Sequence, residues 1–457
     1  VTMMNAVFVA LPIKFAVGIW NYSGIGTPPM YGDKEAQRHW MEITTNLPIG
    51  DWYRNSSNND LLYWGLDYPP LTAYHSQLCG TVAKTINPSM VELFTSRGYE
   101  SIQEKIFMRN TVQISDILVF IPAVTLIVSH IIRIQKDQLS IRAEIERFFI
   151  LLWCFLQPAL LLIDHGHFQY NSVCIGFALL ASYAISKDYD ILGSILFCLS
   201  LNFKQMSLYY ALIFFFALLR KSFDRSSSFI TFLINILKLA ITVILTFLIF
   251  WLPFCYWHHS EETCFSSLQL VLYRQFPFSR GIFEDKVANL WYSISVIIDI
   301  RQILSTHQLV ICSFFLTILL NFPVCLNLIW FKFSLKRFLL ALSNGSLAFF
   351  LASYQVHEKS ILLAVVPLAL LIREDPALVT WLQLLGTFSM FPLLVKDGLR
   401  IPYVACCALA ASLSYSIALC HCGDGDGEGK DSTAAVNSST ITIEIPPKAI
   451  TTTRNTT

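Results

Sequence analysis

Apolar runs long enough to cross a bilayer recur from one end of the chain to the other, and this feature excludes most folds. A spanning helix needs about 20 mostly apolar residues. Candidate spans fall at 4–20, 111–132, 148–163, 168–186, 189–203, 206–220, 229–253, 307–331, 338–355, 359–373, 377–396 and 400–421. Several are short, and the stretch 202–206 reads as a broken or re-entrant segment. Only 14% of the 457 residues are charged and 54% are hydrophobic, where a soluble domain carries roughly 25% charged residues. Disordered chains and disulfide-rich secreted modules are excluded, and an ordinary soluble enzyme is disfavoured. A net charge of +1 leaves no basic face for nucleic acid. The expected class is an all-α polytopic membrane protein with about 12 (10–14) transmembrane helices.

Short cytoplasmic loops carry an excess of Lys and Arg. With the N-terminus inside, the inward loops hold Arg133, Lys136, Arg142 and Arg147, then Lys187, then Arg220, Lys221 and Arg225. Further inward loops hold Lys332, Lys336 and Arg337, and finally Arg373. Two long loops, 21–110 and 254–306, then face outward, and the first contains sequons at Asn21 and Asn55. The chain divides into an N-terminal module 1–253 of about seven spans that includes loop 21–110, the second loop 254–306, a C-terminal membrane module 307–421, and a tail 422–457. The tail is polar and of low complexity, and is expected to be disordered and cytoplasmic. The chain opens on Val1 and is expected to lack its start. Most cysteines lie in apolar runs and read as small hydrophobes. Cys255 and Cys264 flank one polar loop and can pair if that loop is luminal.

This topology gathers the unusual polar clusters on the outward face. They are Asp33-Lys34-Glu35, Asp67-Tyr68-Pro69-Pro70, the run from Asp164 through His165, His167 and Gln169 to Asn171, Phe203-Lys204-Gln205-Met206, Arg280 to Asp285, and Val356-His357-Glu358-Lys359. Ionisable groups near membrane depth are costly and mark function, so the six clusters point to one polar site at the membrane boundary. The stretch 32–48 has apolar positions at helical spacing and reads as an amphipathic helix, suited to lie flat on the membrane surface. Asp33 at its start serves either as an N-cap or in the site. Glu35 points to a different helix face and can pair with Arg38 or His39.

Asp164, His165 and His167 look like a hydrogen-bonding cluster rather than a metal site, because no further ligands follow at a recognisable spacing. Trp52, Tyr53, Tyr63, Trp64 and Tyr68 suit either sugar stacking or an interfacial belt. Lys204, Arg280, His357 and Lys359 bring positive charge to the same face and together suit an anionic ligand. No P-loop, dinucleotide fingerprint or nucleophile elbow occurs, so neither nucleotide nor metal cofactor is expected.

Several of these runs resemble those of the dolichyl-phosphate-glucose-dependent glucosyltransferases of the GT-C superfamily. They are Gly32-Asp33-Lys34-Glu35-Ala36-Gln37-Arg38-His39-Trp40, Tyr63-Trp64-Gly65-Leu66-Asp67-Tyr68-Pro69-Pro70, Asp164-His165-Gly166-His167-Phe168-Gln169-Tyr170-Asn171, Asn202-Phe203-Lys204-Gln205-Met206, Gly281 to Asn289, and Gln355-Val356-His357-Glu358-Lys359. The resemblance implies a GT-C fold in the endoplasmic-reticulum membrane with two long luminal loops and the site facing the lumen. It implies dolichyl phosphate β-glucose as donor and Man(9)GlcNAc(2)-diphosphodolichol as acceptor, joined in an α-1,3 link. Gln37-Arg38-His39-Trp40, Asp164-His165-Gly166-His167 and Phe203-Lys204-Gln205-Met206 look like the first-glucose branch. The sister branch that adds the second glucose, a transporter or scramblase, and a non-catalytic subunit are the rival readings.

A β-linked donor and an α-linked product require inversion, hence one carboxylate base and cationic groups for the leaving phosphate. The resemblance implies Asp33 as base. His357, Lys359 and Lys204 are the phosphate candidates. Glu35, Asp67, Asp164, His165, His167, Gln169 and Arg280 are expected to bind the acceptor or shape the site. One departure stands out: relatives carry an aromatic residue where this chain has Lys34. A cation there either lowers the basicity of Asp33 or helps to hold a phosphate.

Overall fold

The computed structural model describes residues 2–135, 141–256, 263–276 and 287–422. Their regular structure is helical, and no named strand forms among them. Seven helices are long and apolar enough to cross a membrane, or eight if the bent pair Ile141–Phe155 and Pro158–Phe168 forms one span. The all-α, multi-pass class holds. The other expected spans fall on shorter helices, including Asn171–Ser186, Asp190–Phe203 and Pro376–Ser389. Hydropathy windows run through breaks that the backbone respects. Asp188 turns in the left-handed region, Lys204 is extended, and Pro158 opens a new helix after a 43° bend.

Membrane character shows in what the helices leave uncovered. Phe229–Tyr256 is 28 residues long, or about 42 Å at 1.5 Å per residue. Leu237, Ile244 and Ile249 stand exposed along it. Such a surface is stable against hydrocarbon, where helical backbone satisfies its own polar groups. Elsewhere packing is dense. Phe197 stacks on Phe214 at 3.9 Å between centroids, and Phe338 meets Phe214 edge-on at 5.0 Å. Trp153 donates its indole N–H to the carbonyl of Ala369 at 3.1 Å, joining distant parts of the chain.

The loop after the first span, Thr2–Ile19, folds into helices Asp33–Asn46 and Pro70–Ile86. They approach closely at Gly80, where a Cβ would stand 2.7 Å from the Met41 carbonyl oxygen. The flat-lying placement expected for 32–48 is corrected. Lys34 through Thr44 are all buried within the protein, because the helix pairs its polar face internally. Arg38 grips Glu35 with two bonds of 2.6 and 2.8 Å and reaches Glu42 at 2.8 Å. Trp40, Ile43, Trp52, Tyr53, Leu66 and Phe254 fill a separate apolar core under this loop. Cys255 and Cys264, whose pairing was open, form a disulfide at the edge of the second loop.

Candidate active site

A cavity of about 950 Å3 opens between the first loop and the C-terminal part of the chain. Asp33, Trp64, His167, His357, Lys359 and Asp397 all line it. Asp33 is the first residue of its helix, and its backbone N–H donates to Ser23 Oγ at 3.2 Å. Its carboxylate caps nothing. Instead Oδ2 accepts from Gln169 Nε2 at 2.6 Å, ion-pairs with Lys359, and lies 3.1 Å from His167 Nε2. Oδ1 carries no hydrogen bond among the described residues, and the side chain is about a quarter exposed. One oxygen is thus clamped while the other remains available to the cavity.

Local backbone explains the convergence. His167 and Gln169 are two apart, and regular helix would send them to different faces. Here the chain runs through a wide π-helical turn, Leu162–Phe168, and Phe168 turns at φ 92°. Such a conformation costs on the order of 1–3 kcal/mol for a residue other than glycine. Full burial of Phe168 over the Arg109 guanidinium, 5.6 Å from the ring centroid, holds it there. Gln355 makes a second left-handed turn at φ 58°, after which His357 caps the short helix Glu358–Ile361. The Nδ1 of His357 accepts from the Lys359 N–H at 3.3 Å, which leaves Nε2 as the protonated nitrogen of a neutral ring.

Burial opposes charge on Asp33, but the Lys359 ammonium and His167 outweigh it and hold the carboxyl well below the usual carboxylate range. Burial, reinforced by the charge on Lys359, pushes His357 well below the ordinary imidazole value. The site therefore presents an ionised carboxylate, a neutral imidazole and an ammonium around one polar cavity.

The remaining expected residues lie around this centre rather than on it. Lys204 is buried, donates to Asn171 Oδ1 at 2.6 Å and Gln169 Oε1 at 3.4 Å, and sits 4.7 Å from the Tyr68 ring centroid. It braces Gln169 and does not line the cavity. Asp164 accepts from Asn171 at 2.8 Å and the Ser172 N–H at 2.7 Å, which anchors the following helix. His165 turns away to Asp116 at 2.8 Å, where Lys14 completes a buried ion cluster. Glu35 is consumed by Arg38, Tyr63 and the Gly98 N–H. Asp67 lies outside the cavity wall, and Arg280 lies outside the described residues.

Neither reading of the aromatic cluster describes it fully. Trp52 and Tyr53 are core, Tyr68 packs on Trp40, and Trp64 alone of the five lines the cavity. Lys34 ion-pairs with Glu104 at 2.6 Å, well buried, so its cation is spent on fastening the loop helix to the span Ile102–Ile132. Among the described residues no group of three or more His, Cys, Asp or Glu could hold a metal ion.

Sequence reasoning missed Asp397. Its Oδ2 lies 2.5 Å from His167 Nδ1, across 230 residues of sequence. The available signal was a carboxylate at a glycine turn, Lys396-Asp397-Gly398, between two apolar runs on the outward side.

Comparison with known proteins agrees with this architecture. The model of the ALG6, ALG8 glycosyltransferase family matches residues 9–447. A Gallus gallus protein named dolichyl pyrophosphate Man9GlcNAc2 alpha-1,3-glucosyltransferase is 51% identical over 401 residues, covering 88% of this chain and 76% of that one. Proteins of the same name from Pongo abelii and Mus musculus are 50% and 49% identical over 402 residues each, with the same coverage. Such matches, running through the loops that build the cavity as well as the spans that carry them, establish that the chain belongs to the ALG6, ALG8 glycosyltransferase family.

Proposed function

We propose that this protein transfers glucose from dolichyl phosphate β-glucose to the dolichol-linked Man9GlcNAc2 oligosaccharide, and that the cavity around Asp33 is where transfer occurs. The protein is an α-1,3-glucosyltransferase acting in lipid-linked oligosaccharide assembly for N-glycosylation. The donor, the residues that act on it and a site open to the endoplasmic-reticulum lumen are our reading. The observation that carries it is the asymmetry of Asp33, with Oδ2 held by three donors and Oδ1 left for a hydroxyl.

The acceptor hydroxyl oxygen attacks the anomeric carbon from the face opposite the phosphate. Its proton passes to Asp33 Oδ1 as the new C–O bond forms. The bond from the anomeric carbon to the phosphate oxygen breaks, and its electron pair leaves on dolichyl phosphate. Inversion turns the β-linkage of the donor into the α-linkage of the product. The leaving group is a stable anion, so no protein acid is needed. Lys359 and the Nε2–H of His357 stabilise the charge that develops on it. Lys204, Asn171 and Gln169 keep the base in place.

The test is transfer by the purified protein to the nine-mannose lipid-linked oligosaccharide, with and without a first glucose. Transfer is expected to the unglucosylated acceptor alone. Asp33→Asn is expected to lose at least about 100-fold in kcat, the low end of general-base contributions, while still folding, as a cooperative thermal transition in detergent would report. Near-normal transfer by that variant would remove Asp33 as base. Transfer only to the monoglucosylated acceptor would move the protein to the second-glucose reaction.

A further inference from the structure

We infer that Asp397 is a positioning residue for transfer: it holds the His167 imidazolium against Asp33 and thereby aims the free oxygen of the base. The inference rests on the reading of Asp33 as base.

His167 is almost wholly buried, and both of its ring nitrogens face carboxylate oxygens. Nδ1 lies 2.5 Å from Asp397 and Nε2 lies 3.1 Å from Asp33. An imidazole can satisfy two acceptors at once only with a proton on each nitrogen. The ring is therefore a cation between two anions, donating to both. Its backbone is tied down as well. The His167 carbonyl accepts from the Ser23 N–H at 3.0 Å, and the Gly166 carbonyl accepts from Arg109 at 2.6 Å. With the main chain held, the remaining freedom is rotation of the ring, and Asp397 removes it.

Asp397 is itself placed by a tight turn. Its N–H donates to the Leu393 carbonyl at 3.1 Å, and Gly398 follows at φ 73°, a conformation that suits glycine. Its side chain is 2% exposed. This turn joins the helices Phe391–Lys396 and Arg400–Cys422, and it reaches the base through one carboxylate and one imidazole. The arrangement follows the logic of a buried aspartate that orients a histidine toward a reacting group, with Asp33 receiving the histidine's hydrogen bond.

Loss of the Asp397 charge frees the ring to turn or to lose a proton. Asp33 Oδ2 then loses a donor, and Oδ1 loses its aim. Asp397→Asn is expected to lower kcat by roughly 10–100-fold, the cost typical of removing a carboxylate that orients a metal-ligating histidine. KM for dolichyl phosphate glucose is expected to stay within about two-fold, because an effect on the base alone belongs to kcat. Asp397→Glu, which keeps a carboxylate, is expected to recover part of the loss. Equal losses in the Asn and Glu variants, wild-type kcat in the Asn variant, or a loss carried by KM would each overturn the inference.

The buried site also requires a version that is robust to misfolding. His167→Gln places a neutral donor beside Asp33, and adding Asp397→Asn gives it an amide partner. If Asp397 acts through His167, the double variant matches His167→Gln in kcat within about two-fold. A further drop overturns the inference even if Asp397→Asn alone does not fold. The two readings separate cleanly. Asp33→Asn with normal transfer sinks the base itself, whereas an inactive Asp33→Asn beside a normal Asp397→Asn sinks only the role of Asp397.

Discussion

Asp33 is useful because its two oxygens live in different surroundings. Three donors converge on Oδ2, and the net effect of Lys359 and His167 is to keep the carboxylate charged despite burial. In the proposed mechanism such a base binds protons weakly but is always ionised, which suits a reaction whose leaving group departs as an anion. The sign of the shift sets a pH prediction. As the proposed base Asp33 acts only when ionised, and its titration lies below the ordinary carboxylate value of about 3.9. His357 stays neutral at any pH above its own depressed titration. Both groups therefore hold their working forms from pH 7 down through the ordinary imidazole value of about 6.5, and kcat/KM, which reports the free enzyme, is expected to show no fall there. An acid limb centred near 6.5 in that profile would contradict the assignment of a neutral His357.

At the scale of elements, helix Asp33–Asn46 is unusual in burying Lys34, Glu35, Arg38, His39 and Glu42 in succession. Buried charges are tolerated only when paired, and here Arg38 serves both Glu35 and Glu42 while Lys34 takes Glu104. Lys34 thus has a local structural role. Its ammonium stands 4.7 Å from the Tyr22 ring centroid, and its charge is matched on the neighbouring span. Removing one partner strands the other, so Lys34→Met is expected to destabilise the protein by about 3–5 kcal/mol. Lys34→Met with Glu104→Leu is expected to recover most of that loss, because no unpaired charge remains. Thermal unfolding in detergent, run on both variants and the wild type, reads this directly. A single substitution as stable as wild type would mean that Glu104 finds another partner.

At the scale of the molecule, the site is assembled from the first loop, the π-turn that ends at Phe168, the turn before Glu358–Ile361 and the turn at Asp397. These belong to elements far apart in sequence. Every one of them must lie on the same side of the membrane. Asn55, exposed in the first loop, reports which side that is. If the loop is luminal, Asn55 is expected to carry an N-glycan, seen as a mobility shift on glycosidase treatment that Asn55→Gln abolishes. An unmodified Asn55 in protein expressed in cells with an intact glycosylation pathway would argue against that orientation.

Much of this was legible in the residues themselves. His167, Gln169, His357 and Lys359 are polar groups set at the ends of apolar runs, where ionisable side chains are costly and so conspicuous, and Asp33 stands at the start of a helix in the first long loop. Alternation of basic and polar loops was enough to put them on one face. The residues that looked alike in sequence but differ in space, His165 and His167, were separated by a π-helical turn and a left-handed Phe168, which no periodicity announces. Glu35 and Asp33 diverged as helical spacing requires, whereas the burial of their helix did not follow from its amphipathic pattern.

Apolar length and loop charge were enough to specify a helical, multi-pass membrane protein with its polar clusters on one face, because both act through the bilayer and need no knowledge of packing. Which groups touch was settled by folding alone. It brought Asp397 to His167, turned Lys34 onto Glu104, sent Lys204 beneath Gln169, and left one oxygen of Asp33 open to the cavity. Hydrogen bonds and ion pairs act over a few ångströms, and that proximity is created by folding rather than by order along the chain.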